Sequence, residues 1–93
     1  LEAVSESDLE DLAEKDLYAG FREIEPIVST AVQAGDYLTA LRKIASLRSR
    51  VDRLFDAVMV LTDDARLRNN RLRLLFEISQ TVWKIADISE IQA

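Results

Sequence analysis

Apolar residues recur along this chain at helical spacing, and the breaks in that spacing mark where one helix stops and the next begins. Leu9 and Leu12 open the first pattern, which continues through Leu17, Phe21, Ile24, Val28, Ala31 and Val32 on one helix face. Ser5 and Ser7 are candidate caps for its start, and residues 1–8 read as a frayed polar segment. Pro26 has no amide to donate and clashes with the preceding turn. It predicts a kink or break near Glu25, with helix resuming to Gln33. Ala34-Gly35-Asp36 reads as a stop followed by a start: Gly35 suits a left-handed C-cap and Asp36 the next N-cap.

A second helix is predicted over Tyr37–Leu47, with Leu38, Leu41, Ile44 and Ala45 on one face. The apolar phase restarts near Arg48-Ser49. A third helix then carries Val51, Leu54, Phe55 and Val58 inward, with Asp52 and Asp56 flanking that face and Arg50 and Arg53 pointing away. Val60–Thr62 is a short connection, and Asp63 is the expected N-cap of a last helix over Asp64–Ile88. Placed at ~100° per residue, Leu67, Leu74, Ile78, Val82 and Ile85 form one stripe of that helix, with Leu72, Phe76, Ser79 and Trp83 as a second. Two such stripes predict that the last helix is the buried spine of the fold. The expected architecture is all-α: one small bundle of three to four main helices over residues 9–93.

Composition narrows the function classes. Ninety-three residues suffice for one small domain, and two Gly and one Pro among them favour helix over disorder or sheet. The absence of Cys excludes a disulfide framework and Cys-based metal sites, and the absence of His removes the commonest general base. No apolar run approaches the ~20 residues that span a bilayer and no signal-peptide pattern opens the chain, so a cytoplasmic location is expected. With no initiator Met, the chain reads as a piece of a longer protein.

The net charge of −5 hides an asymmetry: residues 1–36 hold ten acids against two bases, a balance of −8, and residues 37–93 hold ten bases against seven acids, a balance of +3. A basic second half can present a local positive face to nucleic acid; the plainer reading is that its arginines pair with the acidic first third. The helical wheel splits the arginines of the last helix into two pairs. Arg68 and Arg71 project from within the apolar sector and need buried acceptors, for which Asp52 and Asp56 are candidates; all four are read as structural. Arg66 and Arg73, with Asn70 between them, read as an exposed donor row with no local acid except Glu77. A second basic cluster, Arg42, Lys43, Arg48, Arg50 and Arg53, surrounds the junction of the second and third helices. Arg suits phosphate, and Arg and Asn suit base edges, so these two groups are the candidate nucleic-acid contacts, merging into one surface if their helices are neighbours.

Exposed aromatics would add stacking surface for unpaired bases. Of the six, Phe21, Phe55, Phe76 and Trp83 are expected in the core, and Tyr18 and Tyr37 are less decided. No nucleophile–base spacing and no glycine-rich phosphate loop is present, and Asp63-Asp64 reads as a helix cap rather than a metal pair. Neither catalysis nor a bound cofactor or metal is expected of this chain alone.

An ordered series of short words carries a family resemblance. Ala13-Glu14-Lys15, Ala34-Gly35-Asp36-Tyr37-Leu38-Thr39-Ala40-Leu41, Phe55-Asp56, Val58-Met59-Val60, Asp63-Asp64, Leu67-Arg68, Asn70-Arg71-Leu72, Leu74-Leu75 and Ile85-Ala86-Asp87-Ile88-Ser89 follow one another. In that order they resemble the C-terminal region of bacterial glycyl-tRNA synthetase β subunits, a helical anticodon-binding domain of the DALR type. One departure is Arg66, which stands where the name-giving motif usually has Ala. The resemblance implies a tRNA-recognition domain that engages the anticodon end of tRNA(Gly). It also implies as partners the rest of the β subunit and a catalytic α subunit in an α2β2 enzyme that uses ATP and Mg²⁺. Two alternatives stay open: the tail of an arginyl-tRNA synthetase, and a helical module that serves only subunit docking.

Overall fold

The structure, a computed structural model, describes the backbone of residues 3–92 and the side chains through Ile85. A 3-10 turn at Glu6–Asp8 precedes four helices: α1 (Leu12–Gln33), α2 (Tyr37–Ala45), α3 (Arg48–Ala57) and α4 (Ala65–Gln92). The described residues contain no strand. The protein is an all-α bundle, as the periodicity predicts.

Helix α1 starts on Asp11, not on a serine. The Asp11 carboxylate accepts from the Ala13 amide at 2.8 Å, and Glu14 accepts in return from the Asp11 amide at 3.3 Å. This reciprocal capping box satisfies amides that the first turn otherwise leaves open. The helix then runs unbroken to Gln33 with Pro26 inside it, so of the expected kink or break the break does not occur. Pro26 sits on the exposed side, where water can serve the carbonyl it leaves unmatched, while Ile24 and Val28 are buried on the opposite side. Tertiary packing thereby overrides a local breaker.

The stop at Gly35 and the restart at Asp36 occur as expected. Gly35 is left-handed at φ 77°, and the amides of Gly35 and Asp36 bond the carbonyls of Val32 and Ala31 at 3.0 and 2.8 Å. The Asp36 carboxylate then accepts from the Thr39 hydroxyl at 2.7 Å and the Thr39 amide at 3.2 Å, which hold it below its ordinary range. Asp64, one residue later than expected, caps α4 by accepting from the Arg66 and Leu67 amides.

The spine of the bundle is α1 rather than α4: α2, α3 and α4 all pack against α1, and α4 also packs against α2. The core joins Leu17, Phe21, Ile24, Val28 and Ala31 of α1 to Ala40, Leu47, Leu54, Leu74 and Ile85. Only one of the two apolar stripes of α4 is used. Leu74 and Ile85 are buried, though Val82 of the same stripe is exposed, whereas Leu72, Phe76 and Trp83 are exposed, because the elements packed against α4, namely α1, α2 and the 3-10 turn, leave these side chains uncovered. Phe55 and the α2 residues Leu38 and Leu41 are also exposed, against the sequence expectation; α2 buries Ala40 instead. The side chains of Asp87 and of the word Ala86-Asp87-Ile88-Ser89 lie outside the described residues. Among the described residues no helix is long and apolar enough to cross a membrane.

Candidate nucleic-acid interface

Several of the candidate cations are engaged inside the fold, by acids between residues 8 and 16 and by carbonyls of the loop before α4. Arg71 is the deepest. Its Nη2 donates to Glu14 Oε1 at 2.9 Å and its Nη1 to the Met59 carbonyl at 2.7 Å, with the two side chains 8% and 0% exposed. Arg68 donates to the Thr62 carbonyl at 3.4 Å. Both arginines bond within the fold, and neither does so through Asp52 or Asp56, which are exposed. They tie α4 to α1 and to the α3–α4 loop, because α3 leans on α1 and meets α4 marginally at most. Glu14 is the residue that sequence reasoning missed. Its signal is legible in retrospect: it lies three and seven residues before Leu17 and Phe21, on the apolar face.

The expected donor row of Arg66, Asn70 and Arg73 does not form an open surface. Asn70 is fully buried. Its Oδ1 accepts from the Ser5 amide at 2.7 Å and its Nδ2 donates to the Ser5 carbonyl at 3.0 Å, a two-point grip on the N-terminal segment. Arg66 donates to Asp8 Oδ1 at 2.6 Å and lies 3.8 Å from Glu10 Oε1; the Asp8 hydrogen bond raises the Arg66 pKa. Residues 4–8 are thus held onto α4 rather than frayed, and the departure from Ala at position 66 is part of the tie. Arg73 is half-buried.

The second cluster divides. Arg50 Nε and Arg53 Nη1 meet the same Asp16 oxygen at 3.3 and 3.4 Å, fastening α3 to α1. The Arg50 guanidinium lies directly over Gly20, where any Cβ would strike it. The plainer charge reading is therefore the observed one: Arg50, Arg53, Arg66 and Arg71 each pair with an acid between residues 8 and 16.

Arg42, Lys43 and Arg48 form no ion pair among the described residues, although Arg42, behind the Thr39 hydroxyl and amide, also lowers the Asp36 pKa. They gather at the α2–α3 corner, where only Ser46 and Leu47 separate the helices. Arg42 and Lys43 complement the C-terminal dipole of α2. Arg48 has no such local reason: it is exposed at the first position of α3, whose start has no capping side chain and no acid in its first turn. A cation there opposes the helix dipole by about 0.3–1 kcal/mol. The result is a concentrated positive corner on an acidic protein, suited to phosphate.

Comparison with known proteins converges with this geometry. Residues 2–93 match the DALR anticodon binding domain family. The glycine–tRNA ligase β subunit of Acinetobacter baumannii is 43% identical over 90 residues, which covers 97% of this chain and 13% of that protein. The β subunits of Neisseria gonorrhoeae and Shewanella amazonensis are 42% and 41% identical over 89 and 90 residues, again 13% of their length. The chain thus spans about an eighth of the curated relatives it matches. No solved structure matches it. A match across nearly the whole chain, on an all-α bundle with a basic corner, shows that the chain belongs to the DALR anticodon binding domain family.

Proposed function

We propose that this chain is the anticodon-binding domain of a glycine–tRNA ligase β subunit and that it holds tRNA(Gly) by its anticodon end for aminoacylation by the α subunit. The supporting observation is the alignment of 97% of the chain with proteins named glycine–tRNA ligase β subunit. Those names favour the glycyl over the arginyl reading. In this proposal the parent works in the cytoplasm, with the remainder of the β subunit and the α subunit as partners. ATP and Mg²⁺ act in the α subunit, and this domain contributes affinity and orientation only.

Phosphate contact falls to Arg42, Lys43 and Arg48, with Arg73 as a further candidate on α4. The cations already engaged by Asp16, Asp8 and Glu14 belong to the scaffold. Charge reversal in the parent enzyme tests this division. Arg48→Glu and Arg73→Glu are expected to raise the KM for tRNA and to leave glycine activation, read by ATP–pyrophosphate exchange, intact. Unchanged tRNA kinetics in both variants would remove these residues from the interface.

A further inference from the structure

The loop between α3 and α4 is apolar and yet turned outward. Val58, Met59, Val60 and Leu61 follow one another in it; Val58 and Val60 are half-buried, whereas Met59 is 73% and Leu61 69% exposed. Its backbone is held from inside. The Val58 amide bonds the Leu54 carbonyl at 3.0 Å, and Arg71 and Arg68 donate to the carbonyls of Met59 and Thr62 at 2.7 and 3.4 Å. The guanidinium that holds Met59 also holds Glu14, so the loop lies beside the start of α1. There Leu12 is 81% exposed and lines a shallow cleft with Ala57. Acids flank the loop: Asp56 precedes it and Asp63 and Asp64 follow it, all three exposed. Asp64 caps α4, and the other two have no ion pair among the described residues. In the cleft Asp11 caps α1, Arg53 is paired with Asp16, and Lys15 is the one cation without an ion pair among the described residues.

We infer that Leu12, Met59 and Leu61 form a docking face for the rest of the parent β subunit, against an apolar protein surface bordered by basic side chains; the inference rests on the β-subunit reading above and not on RNA binding. Large apolar side chains with a polar rim mark protein contacts. A loop whose backbone is already pinned loses little freedom on docking, so its exposed Met and Leu can contribute to affinity at small entropic cost. Asp56, Asp63 and Asp64 repel phosphate and attract Lys and Arg, which argues against nucleic acid as the occupant and sets the sign of the partner's border. The chain spans 13% of the relatives it matches, so most of such a parent lies outside it and can supply that surface. Arg48, at the opposite end of α3, stays clear of the docked face.

Met59 is the only methionine of the chain, so its oxidation by hydrogen peroxide, read by mass spectrometry of its peptide, reports on this face. The rate is compared between this chain and the parent β subunit, both without RNA. Docking that leaves the face open about a tenth of the time slows the reaction about tenfold in the parent. Leu12→Asp and Leu61→Asp, made in the parent, are expected to return it to within about twofold of the rate in the chain alone, because each places a charge in the apolar contact. Leu38→Asp, at an exposed position of α2 beyond the far end of α1, is expected to leave the protection in place. All three positions are exposed, and unchanged circular dichroism of the same variants in this chain verifies folding. Equal oxidation rates in chain and parent, or protection untouched by both aspartates at positions 12 and 61, would overturn the docking face. Protection that grows with concentration in the chain alone would overturn the parent as occupant in favour of a second copy. A parent that supports no glycylation with its α subunit would instead sink the β-subunit reading, and the docking face with it.

Discussion

Replacing Arg71 by Met probes the junction that binds the acidic first third to the last helix. The guanidinium makes two short bonds, to Glu14 and to the Met59 carbonyl, and removing it strands a carboxylate that is 0% exposed. Glu14 Oε1 would keep only the Asp11 amide at 3.3 Å, and Oε2 has no hydrogen-bond partner to begin with. Breaking one side of a buried pair costs about 3–5 kcal/mol. A small domain is stable by only ~5–15 kcal/mol, so the variant should lose a large part of its folded margin. Urea unfolding followed by far-ultraviolet circular dichroism is the assay, since exposed Trp83 is a poor reporter of the core. Adding Glu14→Gln to Arg71→Met should restore about 1–2 kcal/mol, because the amide still accepts the capping bond and carries no charge to strand. Arg22→Met, which breaks an exposed pair with Glu25 at 3.3 Å, should cost less than about 1 kcal/mol. If Arg71→Met costs no more than Arg22→Met, the buried junction does not organise the fold.

Three further outcomes follow from the same contacts. Asn70→Ala should free the segment around Ser5 and cost about 1–3 kcal/mol, read as lost amide protection at residues 5–9 in hydrogen exchange. Gly20→Ala should push the Arg50 guanidinium aside and loosen its pair with Asp16, so the helix propensity gained with Ala, about 1 kcal/mol, should appear in full only in an Arg50→Ala background; an equal gain in both backgrounds would refute the close approach. The Asp36 pKa is depressed below its ordinary 3.8 by the Thr39 hydroxyl and amide. Its capping contribution is therefore complete above that value and fades as pH falls through the lower folded value, so melting temperatures should fall toward Asp36→Asn as pH drops from 5 to 2 by about the amount the charge supplies.

The helices were legible because their stops and starts are local chemistry. Gly35 and Asp36 cap with their own neighbours, and the phase break at Arg48 survives in the fold. What was not legible depended on which helix lies beside which. The sequence pattern makes α4 look like the spine because it is long and broadly apolar, but the elements packed against it leave Trp83 and Phe76 uncovered. The same topology decides the site. Arg50, Arg53, Arg66 and Arg71 look available on a wheel until the acidic residues from 8 to 16 are placed against them, and Asn70 looks like a base reader until Ser5 covers it. Glu14 alone carried an early signal, since an acid in register with Leu17 and Phe21 and three residues after Asp11 is both a cap and a buried partner.

The central claim is that this domain itself engages the anticodon end of tRNA(Gly) through its residual positive corner. The most direct measurement is the affinity of the chain for a glycine anticodon stem-loop and for the same stem-loop with a changed anticodon, at two salt concentrations. Tighter binding of the glycine loop, falling roughly 20- to 40-fold between about 50 and 200 mM salt if three phosphates are contacted, is the predicted result. No binding to either loop at low salt would contradict it, and equal, salt-sensitive affinity for both would confine the domain to backbone positioning, with the bases read elsewhere in the parent.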